Sequence, residues 1–221
     1  MSIFTALEIY HDIDSRSAAL NMAIDEVLFE TAAIPSIRFY KWDHPALSFG
    51  YSGKFGDVAS RATERDIVRR WTGGGIVLHG EDLTYSIAIP ASDPAFGESS
   101  MSIYENVHAA IRAALVMAGK NAQLAEEAGP KTSESCFANA VRSDVLWNGR
   151  KIAGAAQRRT RRGLLQQGSI QDVDLANEFA DQFARELCSK YDHKTLDERL
   201  IARAHEIAAQ KYSAVNWLQH R

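Results

Sequence analysis

The chain has 221 residues, 46% hydrophobic and 24% charged, an ordinary globular composition that is long enough for one domain with a full core. Its net charge of −3 gives none of the basic surplus that nucleic-acid binders carry, and its two cysteines, Cys136 and Cys188, cannot make a disulfide framework. No stretch approaches the ~18 apolar residues of a membrane span, and Met1 to Tyr10 lacks a basic region followed by an apolar run, so the expectation is a cytoplasmic protein with reduced thiols, no membrane and no nucleic acid.

A first strand is expected near Leu7 to Tyr10. Asp14 or Ser15 can cap a helix running to about Thr31, with Met22, Ala23, Ile24, Val27 and Leu28 on its buried face. Ser36 to Trp42 and Ala46 to Tyr51 read as two strands around a hairpin-like turn, Asp43-His44-Pro45. A short helix near Val58 to Arg65 leads to a strand, Ile67 to Arg70, and after a glycine run come strands Ile76 to His79 and Leu83 to Pro90. Ser102 and Glu105 form a capping-box pattern before a helix whose apolar positions Ile103, Val107, Ile111 and Leu115 fall at steps of four, and Gly119 is placed to end it. Glu126 to Ser135 reads as a loop. Asn148-Gly149 between Ser143 to Trp147 and Arg150 to Gln157 is the strongest hairpin signal, because both residues tolerate the positive φ of a type I′ turn. Leu164 to Ile170 adds a third strand to that meander. Two helices follow, about Leu175 to Ser189 and Leu196 to Lys211, the second opened by a capping box of Thr195 and Glu198. Strands in the middle with helices on the flanks predict an α+β fold with largely antiparallel pairing.

The run Gly73-Gly74-Gly75, preceded by Arg69-Arg70-Trp71-Thr72, sits between two strands. Three glycines lose much backbone entropy on folding and bury no side chain, so they serve either as a plain connector or as a place where backbone approaches a ligand. No Gly-Lys-Ser/Thr follows and no helix opens after it, which excludes the P-loop and dinucleotide patterns. Amides beside Arg70 could hold a carboxylate, a phosphate or a thioester carbonyl.

Taken together, Arg69 to His79 and Asp82-Leu83-Thr84-Tyr85-Ser86 resemble the signature of the lipoate-protein ligase and octanoyltransferase family. Asn21-Met22-Ala23-Ile24-Asp25-Glu26 resembles its N-terminal helix, and Phe39-Tyr40-Lys41-Trp42 and Ser48-Phe49-Gly50-Tyr51 resemble the strands before the glycine run. Ser143-Asp144-Val145-Leu146 and Gly149 to Arg158 resemble the segment carrying the family's lysine, and Gln167-Gly168-Ser169-Ile170 its closing strand. The resemblance implies a central mixed, mostly antiparallel sheet with a smaller sheet and flanking helices, as in biotinyl and lipoyl protein ligases, in one catalytic domain over 1–221 with core motifs in 21–170 and C-terminal helices in 175–211. It implies transfer of an octanoyl or lipoyl group to a lysine of a lipoyl domain or a glycine-cleavage H protein. Two departures bear on substrate detail: Ser52-Gly53-Lys54-Phe55 stands where many relatives have a glutamine, and Gln167 stands where a histidine is common.

The family divides chemically. Ligases activate a free acid with ATP and Mg²⁺, whereas transferases take octanoate from acyl carrier protein onto a cysteine, with no cofactor required. Cys136-Phe137 before the Lys151 hairpin resembles the cysteine-dependent octanoyltransferases, and a nearby ammonium favours the attacking thiolate. The resemblance therefore implies Cys136 and Lys151 as catalytic, no metal, and a substrate-binding set of Arg70, Thr72, Gly73, Gly74, Gly75, His79, Asp144 and Gly154. The ATP-dependent ligase is the alternative, and a non-catalytic acyl-binding relative is a second. Read without the resemblance, Cys136 is a small buried residue, Lys151 a solvated strand lysine and His79 a satisfied structural histidine. Asp144 and Asp82 either orient Lys151 or Arg70 or end strands. Cys188 is assigned to the core. Arg158, Arg159, Arg161 and Arg162 form a basic turn, either solvated or a docking face for an acidic carrier.

Overall fold

The computed structural model describes residues 2–129 and 139–220. Eleven strands among them form two sheets. The chain runs through β1 (Leu7–His11), α1 (Ala18–Thr31), β2 (Ser36–Tyr40), β3 (Ala46–Phe49), β4 (Asp66–Arg69), β5 (Val77–His79), β6 (Leu83–Pro90), α2 (Ser100–Met117), β7 (Ala122–Leu124), β8 (Val145–Trp147), β9 (Arg150–Thr160), β10 (Gly163–Ile170), α3 (Phe179–Leu187), β11 (Tyr191–Lys194), α4 (Glu198–Ile207) and α5 (Val215–Leu218). The large sheet has the order β11-β1-β2-β6-β10-β9-β8-β7, and the small one β4-β3-β5. Only β11–β1, β1–β2 and β3–β4 pair in parallel, so both sheets are mixed and the large one is mostly antiparallel, as expected.

The layers follow from the residue pattern. On β2, Ile37 and Phe39 point into the core with α2 and α3, while Arg38 between them points the other way, to α1. The apolar stripe Ile103, Val107, Ile111 and Leu115 of α2 is buried there as its spacing predicts, each side chain contributing about 1.5–3 kcal/mol of apolar burial. On the opposite face, α1 lies between the large sheet and α4, with Met22, Ile24, Val27 and Leu28 packed beside Ile207 and Tyr212. Because it is covered on both sides, α1 also buries Asn21 and Asp25, and Arg38 bridges Asp25 (2.8 Å) and Asp12 (2.7 Å).

Several local expectations need correction. Helix α1 is capped by Ser17, not Asp14 or Ser15; α2 by Ser99, with Ser102 already inside the helix; and α4 by Asp197, not Thr195. In each case a hydroxyl or carboxylate two or three residues away is better placed to accept from the orphan amide. Asp43-His44-Pro45 makes no hairpin: β2 and β3 belong to different sheets, and the turn carries the chain from one to the other. In place of the helix near Val58 to Arg65 there is a short 3₁₀ turn, Ala59–Arg61, preceded by another at Phe55–Asp57. Helix α3 starts at Phe179, later than Leu175. Strands β7 and β11 were not expected; each is only three or four residues long and lies at a sheet edge, where alternation is weak. The Asn148-Gly149 turn is as expected, with φ of 50° and 74°.

Candidate active site

A small, narrow cavity, partly open to solvent, lies where the two sheets meet across α1. Gly154, Ala155, Ala156 and Gly168 form its wall on the large sheet. These small residues leave space that larger side chains would fill, and Met22, Trp42 and Val77 add apolar surface. Such a lining suits an alkyl chain.

Lys151 stands at the Gly154 side of this wall. Its side chain is only 3% exposed, and Nζ lies 2.8 Å from Asp144 Oδ2. The pairing between β8 and β9 shifts by one residue there, with Val145 opposite Ala153 but Leu146 opposite Lys151. This bulge turns Lys151 towards Gly154, where a Cβ would sit 2.6 Å from Lys151 Cε. Asp144 is brought inward by Ser143, whose φ is 68°, and its carboxylate also accepts from the Val141 amide (2.6 Å) and the Tyr104 hydroxyl. Burial and then the Asp144 charge push the Tyr104 phenol far above its ordinary range, so it stays a donor. Behind it, His108 is fully buried, its Nδ1 facing the Ser143 carbonyl at 2.8 Å. Burial pulls its pKa down to about 4, against the opposing pull of Asp144, and its Nε2 has no partner among the described residues.

The opposite wall is polar. Arg70 donates to Ser48 Oγ (2.6 Å) and to the carbonyls of Gly73 (3.0 Å) and Gly75 (2.9 Å), so this guanidinium shapes the glycine run. Gly74 has φ of 86°, which only glycine adopts without strain. The closest approach in this region is backbone to backbone: a Cβ on Gly50 would lie 2.1 Å from the Gly74 carbonyl oxygen. His79 bridges Ser48 (2.6 Å) and Asp82 (2.8 Å) under a stacked Trp42 ring. Asp82 thus serves His79, not Lys151 or Arg70. Burial raises the Asp82 carboxyl, but hydrogen bonds from His79, Ser169 and the Gly80 amide, with the His79 charge, outweigh it and hold the pKa at about 2. Thr72 donates to Gln167, which donates in turn to Asp25 (2.7 Å), tying the loop to α1.

The residues from 17 to 207 match the model of the Lipoyl protein ligase A/B catalytic domain. The chain belongs to that family. Among family members, the chain is 37% identical over 164 residues to Octanoyltransferase LipM of Oceanobacillus iheyensis, covering 70% of this chain and 60% of that protein. It is 35% identical over 216 residues to Octanoyltransferase LipM of Geobacillus kaustophilus, covering 88% of this chain and 74% of that one. The chain therefore spans between three-fifths and three-quarters of these relatives' length. A lipoate-protein ligase A solved with bound ATP shares the fold, with a TM-score of 0.74 and 19% identity over 99% of both chains.

Of the residues expected from the sequence to form this family's site, Lys151, Asp144 and Gly154 come together on one wall, and Arg70 and His79 on the other. Thr72 and Gly73 to Gly75 stand behind the cavity wall, held by Gln167 and Arg70. Cys136 and Phe137 lie outside the described residues. Cys188 is buried with its thiol directed at the Phe4 and Lys190 carbonyls, as expected of a core residue. Arg69 has a purely structural place, donating to five carbonyls, of Tyr51, Gly53, Trp217, Leu218 and His220. Sequence reasoning missed Ser48 and Tyr104. The available signals were a lone hydroxyl in the apolar strand Ala46–Phe49 and the i, i+4 spacing of Tyr104 and His108 on the buried face of α2. The basic turn is partly engaged: Arg158 lies over the Tyr51 and Trp71 rings, and Arg162 reaches the Glu30 carbonyl. No helix among the described residues is long and apolar enough to cross a membrane.

Proposed function

We propose that this chain is a single-domain acyltransferase that moves an octanoyl group from acyl carrier protein to a specific lysine of a lipoyl-domain or glycine-cleavage H protein. The observation that carries the reading is a buried lysine paired with a carboxylate behind Gly154, in the small-residue wall of the cavity. The cavity takes the acyl chain, and Lys151, held by Asp144, stands at the reacting carbonyl. Cys136 takes the acyl group as a thioester, with Lys151 favouring the thiolate and then serving proton transfer at the acceptor amine. A thioester donor is already activated, so neither ATP nor Mg²⁺ is needed, and the setting is the cytoplasm, where such carriers are loaded. The names of the relatives, octanoyltransferases, support this reading over an ATP-dependent ligase.

The test offers two donors with a lipoyl-domain acceptor: octanoyl-acyl carrier protein alone, and lipoic acid with ATP and Mg²⁺. The transferase uses the first, acquires one octanoyl mass on the peptide containing Cys136, and loses it in neutral hydroxylamine; Cys136→Ser abolishes turnover. An active Cys136→Ser protein that uses the second donor overturns the reading in favour of the ligase.

A further inference from the structure

The polar wall carries a second set of reactive groups that the acyl-transfer scheme does not use. Ser48 Oγ lies 2.6 Å from His79 Nε2, and His79 Nδ1 lies 2.8 Å from Asp82 Oδ2. All three residues are buried, and Ser48 and His79 face the cavity. Their meeting is a product of the small sheet: with Ala46 opposite His79 and Ser48 opposite Val77, Ser48 and His79 are diagonal neighbours across β3 and β5.

Proton positions follow by elimination. A guanidinium can only donate, so Arg70 Nη1, 2.6 Å away, makes Ser48 Oγ an acceptor. The hydroxyl proton then points to Nε2, which must be unprotonated, and the ring proton sits on Nδ1 and is donated to Asp82. Asp82 is fixed in turn by Thr84 Oγ1 (2.7 Å), Ser169 Oγ (2.6 Å) and the Gly80 amide (3.0 Å). The imidazole plane is held by Trp42, stacked at 4.1 Å. Burial, with the charges of Arg70 and Arg65, lowers the basicity of His79 despite Asp82, so the ring is neutral near pH 7 and able to take a proton. The positive charge of Arg70 beside Oγ favours its ionised form. Anchoring Arg70 would need no more than the Ser48 oxygen; it does not require the serine proton to be aimed at a neutral imidazole backed by a carboxylate.

We infer that Ser48 is a nucleophile, with His79 as its general base and Asp82 as the positioning carboxylate, which hydrolyses activated medium-chain acyl esters and thioesters entering this cavity. Oγ attacks the carbonyl carbon as its proton passes to His79 Nε2. The bond to the leaving oxygen or sulfur breaks, and the leaving group takes that proton. A water then adds to the acyl carbon, giving its proton to Nε2; the Oγ–carbon bond breaks, Oγ recovers the proton, and the free acid departs. This step shares the cavity with the transfer reaction proposed above but uses neither Cys136 nor Lys151.

The experiment is run in the full chain carrying Cys136→Ser, so that no thiol at that position competes. p-Nitrophenyl butanoate and p-nitrophenyl octanoate are the substrates, and an octyl fluorophosphonate is the covalent probe. Release of p-nitrophenol should fall about a hundredfold when Ser48→Ala is added. The probe should map to the peptide containing Ser48, a readout that needs no second variant if Ser48→Ala fails to fold. Unchanged release in a folded Ser48→Ala protein, or absence of probe from Ser48, overturns the proposal. A missing hydroxylamine-labile adduct on Cys136 of the unsubstituted protein would count against the transferase reading and not against this one.

Discussion

The two walls of the cavity solve the burial of a cation in different ways. On the large sheet, the Lys151 ammonium sits against Asp144, which is itself braced by Tyr104 and the Val141 amide, and space for the lysine stem comes from the missing side chain of Gly154. On the small sheet, the Arg70 guanidinium donates, among the described residues, to Ser48 Oγ and to the carbonyls of Gly73 and Gly75. An ammonium is a compact charge that sits against a single carboxylate, whereas a guanidinium is a planar fork whose several N–H groups hold several acceptors at once. One wall is therefore an ion pair that fails if either member is lost, and the other is a scaffold that shapes a loop.

The largest expected effect comes from breaking the ion pair. Asp144→Ala leaves the ammonium buried without its carboxylate and should cost about 3–5 kcal/mol, read as a fall in the urea midpoint together with loss of acyl transfer. Replacing the whole pair, Lys151→Met with Asp144→Leu, should recover much of the stability and none of the transfer.

Behind the same wall, His108 makes stability depend on pH. Its folded pKa, about 4, lies below the ordinary value of 6.5, so between these values the unfolded chain binds the proton more readily. Its contribution is full above pH 6.5, is lost as pH falls, and levels off below about 4, for a loss of about 3 kcal/mol. His79, also lowered by burial, acts in the same direction. Unfolding free energies measured between pH 7 and pH 4 should therefore slope less in His108→Phe than in the parent, with the remaining slope due in part to His79. An unchanged slope would remove His108 from the acid limb.

The same substitution made on each wall sharpens the contrast. Gly50→Ala drives a Cβ against the Gly74 carbonyl oxygen, backbone that cannot step aside, and should cost about 1–3 kcal/mol in chemical denaturation. Gly154→Ala meets the far end of the Lys151 side chain, which can swing away. Its stability should change by less than about 1 kcal/mol, because the added methyl group also reduces unfolded-state entropy. Acyl transfer should nevertheless fall, because the shifted stem moves Nζ from its place at the wall while its pairing with Asp144 is kept. A thermal melt and a transfer assay on the two variants would show opposite profiles; equal losses of stability would show that Lys151 is as rigidly packed as the backbone.

The sequence by itself determined the parts whose physics is local. The four-residue spacing of Ile103, Val107, Ile111 and Leu115 made α2, and Asn148-Gly149, able to take positive φ at both positions, made the hairpin that carries Lys151. The ordered motifs from Asn21 to Ile170 were enough to identify the family and the fold. What only the tertiary structure decided is long-range. Asp82 lies three residues from His79 and could as well have served Arg70 or Lys151; the turn between β5 and β6 brings it to His79, and the β3–β5 register puts Ser48 on the other side of the ring. Tyr104 reads as one more large residue on a helix face, yet its hydroxyl reaches a carboxylate forty positions away. Gly50 stands in the Ser48-Phe49-Gly50-Tyr51 motif, but the reason for its bare Cα appears only when the glycine run folds back over it. Spacing along a chain fixes which face of an element a residue occupies, but the partner of a buried polar group is chosen by strand register and packing, which no local pattern encodes.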